Sequence, residues 1–148
     1  MMEVYLVEKE AIRLIGMSVQ TKLQDAEANL VPLNDSYNKR IAEINNQVHS
    51  SFDYAVSIDP PDYHVETDEF TFIIGAEVDD LNDVPLGMVS LELPSYTYAS
   101  VKKTGDSTFG FLMKWVNASP HFELAETYSI EFDRSQEEVT LMFPLKKK

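Results

Sequence analysis

The chain is 148 residues long, 44% hydrophobic and 25% charged, with a net charge of −13 and no cysteine. That length and balance fit one globular domain, residues 1–148, around one core. The absent cysteines exclude disulfides and thiolate metal sites, and the negative charge opposes a phosphate-backbone partner, so no direct nucleic-acid binding is expected.

Residues 3–9 and 11–21 are rich in β-branched side chains and partly alternate, which predicts a strand pair or one long strand bent near Glu10. Residues 22–32 are mixed and end in Pro32, which predicts a loop. Leu33, Tyr37, Ile41, Ile44 and Val48 recur at helical spacing, so a helix is expected over 33–49, capped by Asn34 or Asp35. Strands follow at 52–59, stopped by Pro60-Pro61, and at 69–78. The acidic stretch 79–85 reads as a linker between halves of about 1–80 and 86–148. Beyond it, 88–103 is a strand interrupted at Pro94, Gly105-Asp106-Ser107 is a turn and helix cap, and 108–117 is a short helix carrying Trp115. Two further strands are expected at 127–133 and 138–146.

No apolar run reaches the roughly 18 residues of a membrane span. The first five residues have neither the basic nor the apolar region of a signal peptide. A cytoplasmic location is therefore expected, without a membrane partner.

The pattern repeats. Tyr54-Ala55-Val56-Ser57-Ile58-Asp59 parallels Tyr128-Ser129-Ile130-Glu131-Phe132-Asp133 at an offset of 74 (128 − 54). Glu69-Phe70-Thr71-Phe72 parallels Glu138-Val139-Thr140-Leu141 at an offset of 69 (138 − 69). The expected fold is α+β: tandem duplicated βαββ modules with pseudo-twofold symmetry, forming an antiparallel sheet with two main helices. The groove where such modules meet is a natural pocket.

Alternation along the matched strands puts Tyr128, Ile130 and Phe132 on one face, assigned to the helix-covered core. Ser129, Glu131 and Asp133 then face the other way, with Ala55, Ser57 and Asp59 of the first half. Small Ala55 and Ser57 leave space into which Glu131 projects. A carboxylate in a low-dielectric cleft needs a counter-charge, which a ligand cation supplies, aided by aromatic faces. Tyr54, Phe72, Tyr96, Tyr98, Phe111 and Trp115 are the available aromatics. The residues alone favour a solvated sheet face with the aromatics as plain core over such a cleft.

Several stretches carry a family resemblance: 8–16, Phe70 to Val78, Leu93 to Ala99, Trp115 through Ala125, Tyr128-Ser129-Ile130-Glu131-Phe132, and Val139 to Lys146. Together they span nearly the whole chain, which resembles the GyrI-like, or AraC-type effector-binding, family. The resemblance implies a tandem βαββ fold whose penultimate strand turns a glutamate, here Glu131, into a hydrophobic ligand cleft. It implies binding of a small lipophilic, cationic molecule, with no cofactor. Family regulators fuse the domain to a DNA-binding helix-turn-helix, for which no residues are left over here. The family tyrosine two positions after the glutamate is replaced by Asp133. Two alternatives follow from the same resemblance. Some members hydrolyse reactive, cyclopropane-bearing electrophiles, in which case Glu131 is the catalytic base and Tyr98 or Trp115 orients the substrate. Others act on a protein partner, a separate regulator or DNA gyrase.

His49, His64 and His121 lack metal-ligand spacing, and no phosphate loop or dinucleotide fingerprint occurs.

Overall fold

The structure is a computed structural model, and it describes residues 3–48, 53–64, 66–105, 107–135 and 138–148. His49, Phe52 and Asp106 lie outside these residues, as does the side chain of Asp133.

Among the described residues, nine strands form one antiparallel sheet: β1 (Tyr5–Lys9), β2 (Ile12–Thr21), β3 (Tyr54–Ile58), β4 (Phe70–Glu77), β5 (Val89–Leu93), β6 (Tyr96–Lys102), β7 (Phe122–Leu124), β8 (Tyr128–Ser135) and β9 (Glu138–Lys147). The helices are α1 (Ala26–Arg40) and α2 (Ser107–Ala118). The main path runs β1-β6-β9-β8-β3-β4-β2-β5, with β7 pairing the outer part of β9. Read outward from its centre, this order is symmetric. β3, β4, β2 and β5 on one side occupy the places of β8, β9, β6 and β1 on the other.

The expected α+β fold with an antiparallel sheet and two helices is therefore what the chain adopts. The two stretches matched in sequence, 54–59 with 128–133 and 69–72 with 138–141, fall on topologically equivalent strands. β1 and β2 are separate strands that do not pair with each other. β1 pairs with β6 and β5 with β2, so each half of the sheet takes its edge from the other half of the sequence.

The first helix differs from expectation. It begins at Ala26 and ends at Arg40, followed by a short 3-10 turn at Ile41–Glu43, and Pro32 lies inside it. Proline removes one i→i−4 hydrogen bond, so Pro32 argued for a loop. Anchoring by Tyr37 outweighs that cost. Its ring is fully buried against Ile15, Ile44 and Ala76, and its hydroxyl donates a 2.8 Å hydrogen bond to Asp53 Oδ1. Burial and the neighbouring carboxylate push the Tyr37 phenol far up from its ordinary value.

The faces of the sheet are assigned the opposite way from the sequence reading. Tyr54, Val56, Ile130, Phe132 and Met142 belong to a core that also holds Leu14 and Leu93 from one end of the sheet and Tyr98 from the other. Strands that far apart in order share a core only if the sheet curls, so this face closes on itself without a helix. The helices cover the other face. Leu112 and Val116 of α2 pack on Ala99, Leu141 and Phe143, while Tyr37 of α1 packs on Ile15 and Ala76. Glu131 pairs with Leu141 on one side and Ala55 on the other, which places it on the helix-bearing face.

The strands approach closely at Gly16, which pairs with Gly75. A Cβ built on Gly16 would sit 1.9 Å from the Ile74 carbonyl oxygen and 2.5 Å from the Gly75 Cα, both backbone atoms. Substitution Gly16→Ala is expected to lower the unfolding free energy by about 3 kcal/mol, the upper range for overpacking, as measured by urea titration; an unchanged midpoint would contradict the close approach.

Candidate functional site

The centre of the sheet is the β3–β8 pair, matched Tyr54↔Phe132, Ala55↔Glu131, Val56↔Ile130, Ser57↔Ser129 and Ile58↔Tyr128. Alternation sends Tyr54, Val56, Ile130 and Phe132 into the closed core. Ala55, Ser57, Ser129 and Glu131 face the helices, and each is half-buried. α1 rests on β2 and β4, and α2 on β6, β7 and β9. The seam between the halves therefore runs between the two helices, and among the described residues of the paired stretch it is floored by Ala55, Ser57, Ser129 and Glu131.

Glu131 is not buried: its side chain is 37% exposed and its Oε1 accepts a 3.0 Å hydrogen bond from Lys103 Nζ, itself 35% exposed. The lysine is supplied by the residue just after β6, whose backbone N–H bonds the Val139 carbonyl at 2.7 Å. Lys103 was not among the residues singled out from sequence. Its approach depends on β9 lying between β6 and β8, which no local pattern encodes.

Of the eight residues expected to line the cleft, Glu131, Ser57 and Phe72 share the helix-bearing face, since Ser57 pairs with Phe72. Tyr54, Tyr96 and Tyr98 are turned to the opposite face. There Tyr54 OH donates to Glu77 at 3.0 Å, Tyr96 OH donates to Glu126 at 2.7 Å, and the Tyr98 and Tyr128 hydroxyls share a 2.9 Å hydrogen bond. Burial raises the Tyr98 and Tyr128 phenols above their ordinary value. Trp115 sits on the outer flank of α2 beside Leu6 of β1, and Phe111, one turn earlier, shares that flank. The opposite flank of α2, carrying Phe109 and Met113, is the one that borders the seam.

That flank opens onto a hollow of about 250 Å³ that starts at Ser129 and runs under the β3–β4 connection. Phe109, Met113 and Phe143 form one wall and Tyr63 the other, with Asp59 at the end of β3. Phe109 meets Phe143 edge-on at 5.0 Å, and Tyr63 meets Phe70 edge-on at 6.5 Å. Burial raises the Asp59 carboxyl above its ordinary value. Among the described residues, no group of three or more His, Asp or Glu side chains is placed to hold a metal, and no helix is long and apolar enough to cross a membrane.

A family profile described as "Cass2: Integron-associated effector binding protein" matches residues 5–145. No curated protein sequence matches the chain. Among solved structures, SAV2435 bound to tetraphenylphosphonium is similar at 14% identity and a TM-score of 0.72, covering 97% of this chain and 94% of that one. The integron cassette protein VCH_CASS2, from the mobile metagenome of Vibrio cholerae, is similar at 14% identity and a TM-score of 0.57, over 97% and 95% of the two chains. The C-terminal domain of EcmrR is similar at 15% identity and a TM-score of 0.69, over 99% of each chain.

A pair as exposed as Lys103–Glu131 contributes little to folding, about 1 kcal/mol or less. Glu131→Gln and Lys103→Met are each expected to shift unfolding free energy by no more than that amount, as read by denaturant titration. A larger loss would show that the pair is a structural clamp.

Proposed function

This chain belongs to the Cass2 family of integron-associated effector binding proteins, and we propose that it captures a lipophilic organic cation in the groove between α1 and α2. The observation that carries the reading is the open seam. Neither helix packs chiefly on the two central strands, and the described side chains that their paired registers turn to this face are Ala55, Ser57, Ser129 and Glu131. A sheet face of small residues between two helices offers space for a ligand, and Glu131 supplies the counter-charge. Phe72 and the Phe109–Met113 flank of α2 supply apolar surface.

Lys103 holds the carboxylate while no ligand does. A monovalent lipophilic cation competes for the same oxygen and brings apolar area that an ammonium on a short chain does not. Displacing Lys103 costs little, because its head is partly exposed and returns to water. The similarity in fold to SAV2435, seen with tetraphenylphosphonium, makes that lipophilic cation a rational probe.

The groove supports binding better than turnover. Glu131 is engaged by an ammonium, and Tyr98 and Trp115, the groups that would orient a substrate, are turned elsewhere.

Titration calorimetry with tetraphenylphosphonium is expected to give saturable binding. Glu131→Gln weakens it about tenfold or more, as loss of one partner of a charge pair does, while leaving a neutral analogue such as triphenylphosphine oxide unaffected. Lys103→Met strengthens the cation by freeing the carboxylate. Equal losses for cation and neutral analogue in Glu131→Gln would refute the counter-charge role.

A further inference from the structure

The hollow at the end of the seam has the features of a cation site without the internal neutralisation found at Glu131. Among the described residues, the hydrogen bonds of Asp59 are made by its backbone and not its carboxylate, and no basic side chain lines the hollow. Two more carboxylates stand on its rim, Asp62 and Glu126, the second of which accepts the Tyr96 hydroxyl. Its walls are aromatic and thioether surfaces: Tyr63, Phe109, Phe143 and Met113. Ring faces attract a desolvated cation, and the flexible methionine adapts to its shape. Burial lifts the Asp59 carboxyl, so a cation arriving there relieves an unfavourable charge rather than competing with a resident one.

The position of Asp59 fixes its relation to Glu131. The Asp59 N–H bonds the Thr127 carbonyl at 2.9 Å and Thr127 Oγ1 donates to the Asp59 carbonyl at 2.7 Å, so the β3–β8 ladder runs on past Ile58. Asp59 lies four residues along β3 from Ala55, the partner of Glu131, which is roughly 13 Å at strand rise. Both carboxylates are on the helix-bearing face, with Ser57 and Ser129 between them. One small cationic head cannot touch both.

We propose that the Asp59 hollow is a second cation subsite at the far end of the same groove, so that the protein selects elongated lipophilic dications over single-headed cations. This rests on the groove being the ligand site. It adds that Asp59 holds one head under Tyr63 while Glu131, released by Lys103, holds the other.

The test compares decamethonium, with a quaternary ammonium at each end of a ten-carbon chain, with decyltrimethylammonium, which has one, by calorimetry below the surfactant's aggregation range. The wild-type chain is expected to bind decamethonium about tenfold or more tightly than the single-headed probe, because the second contact is intramolecular. Asp59→Asn removes this preference and Asp59→Glu retains it. Both variants keep the backbone bonds to Thr127, and urea titration verifies that they are folded. A preference that survives in Asp59→Asn, or no preference in the wild type, overturns the second subsite. If tetraphenylphosphonium still binds and still depends on Glu131, the groove reading stands in that case. Loss of tetraphenylphosphonium dependence on Glu131 with the decamethonium preference intact would instead leave Asp59 as the groove's principal counter-charge. No binding of any of the three probes overturns both.

Discussion

The antiparallel pairing of β3 with β8 sets everything else in this molecule. Among the described residues it is the ladder that joins the two halves of the sheet at their centre, and its register decides which side chains meet across the seam. Tyr54 against Phe132 and Val56 against Ile130 lock the closed face, the two rings 5.6 Å apart. The same register forces Ala55 opposite Glu131 and Ser57 opposite Ser129 on the other face. A slip of one residue would turn the carboxylate into the core and the aromatics into the groove, which neither face tolerates. The packing that stabilises the fold and the opening that makes a site are thus two sides of one pairing.

Electrostatics divide the groove into unlike ends. At one end the protein provides its own cation, and Lys103 keeps Glu131 satisfied while leaving both groups in reach of water. At the other, Asp59 faces aromatic surface with no such relief. A partly hydrated ion pair is inexpensive to open, whereas a partly buried carboxylate with no cation beside it favours whatever neutralises it. The overall charge of −13 adds a diffuse field that concentrates cations near the surface without choosing among them.

Much of this architecture is legible in the chain itself. Strand positions follow from β-branched runs and from Pro60, Pro61 and Pro94, and the internal match at Tyr54 and Tyr128 foretells the equivalent central strands. The alternation of Glu131 with Ile130 and Phe132 was also readable, but not which face the helices take. A helix and a second layer of curled sheet bury the same apolar residues, so period alone does not tell them apart. Tyr54, Tyr96 and Tyr98 were misplaced for that reason, and Trp115 because the two flanks of α2 are both apolar. Lys103 and the Tyr63 wall depend on long-range register and on a loop path, neither of which leaves a local signature. Pro32 misled in the other direction: a rule about backbone donors was outweighed by one deeply seated tyrosine.

The exchange of edges between β1 and β5 carries a consequence for how the molecule comes to be. Among the described residues, β1 is seated against β6, some ninety positions later, and β6 in turn is flanked by β9, about forty positions further on. A nascent chain therefore holds β1 without this neighbour until some ninety further residues have been made. Such distant pairings close slowly, since chain entropy is lost before any contact repays it. The two arms are woven rather than laid side by side, so a cut at the acidic connection would yield not two small folds but two fragments, each lacking a border strand the other retains.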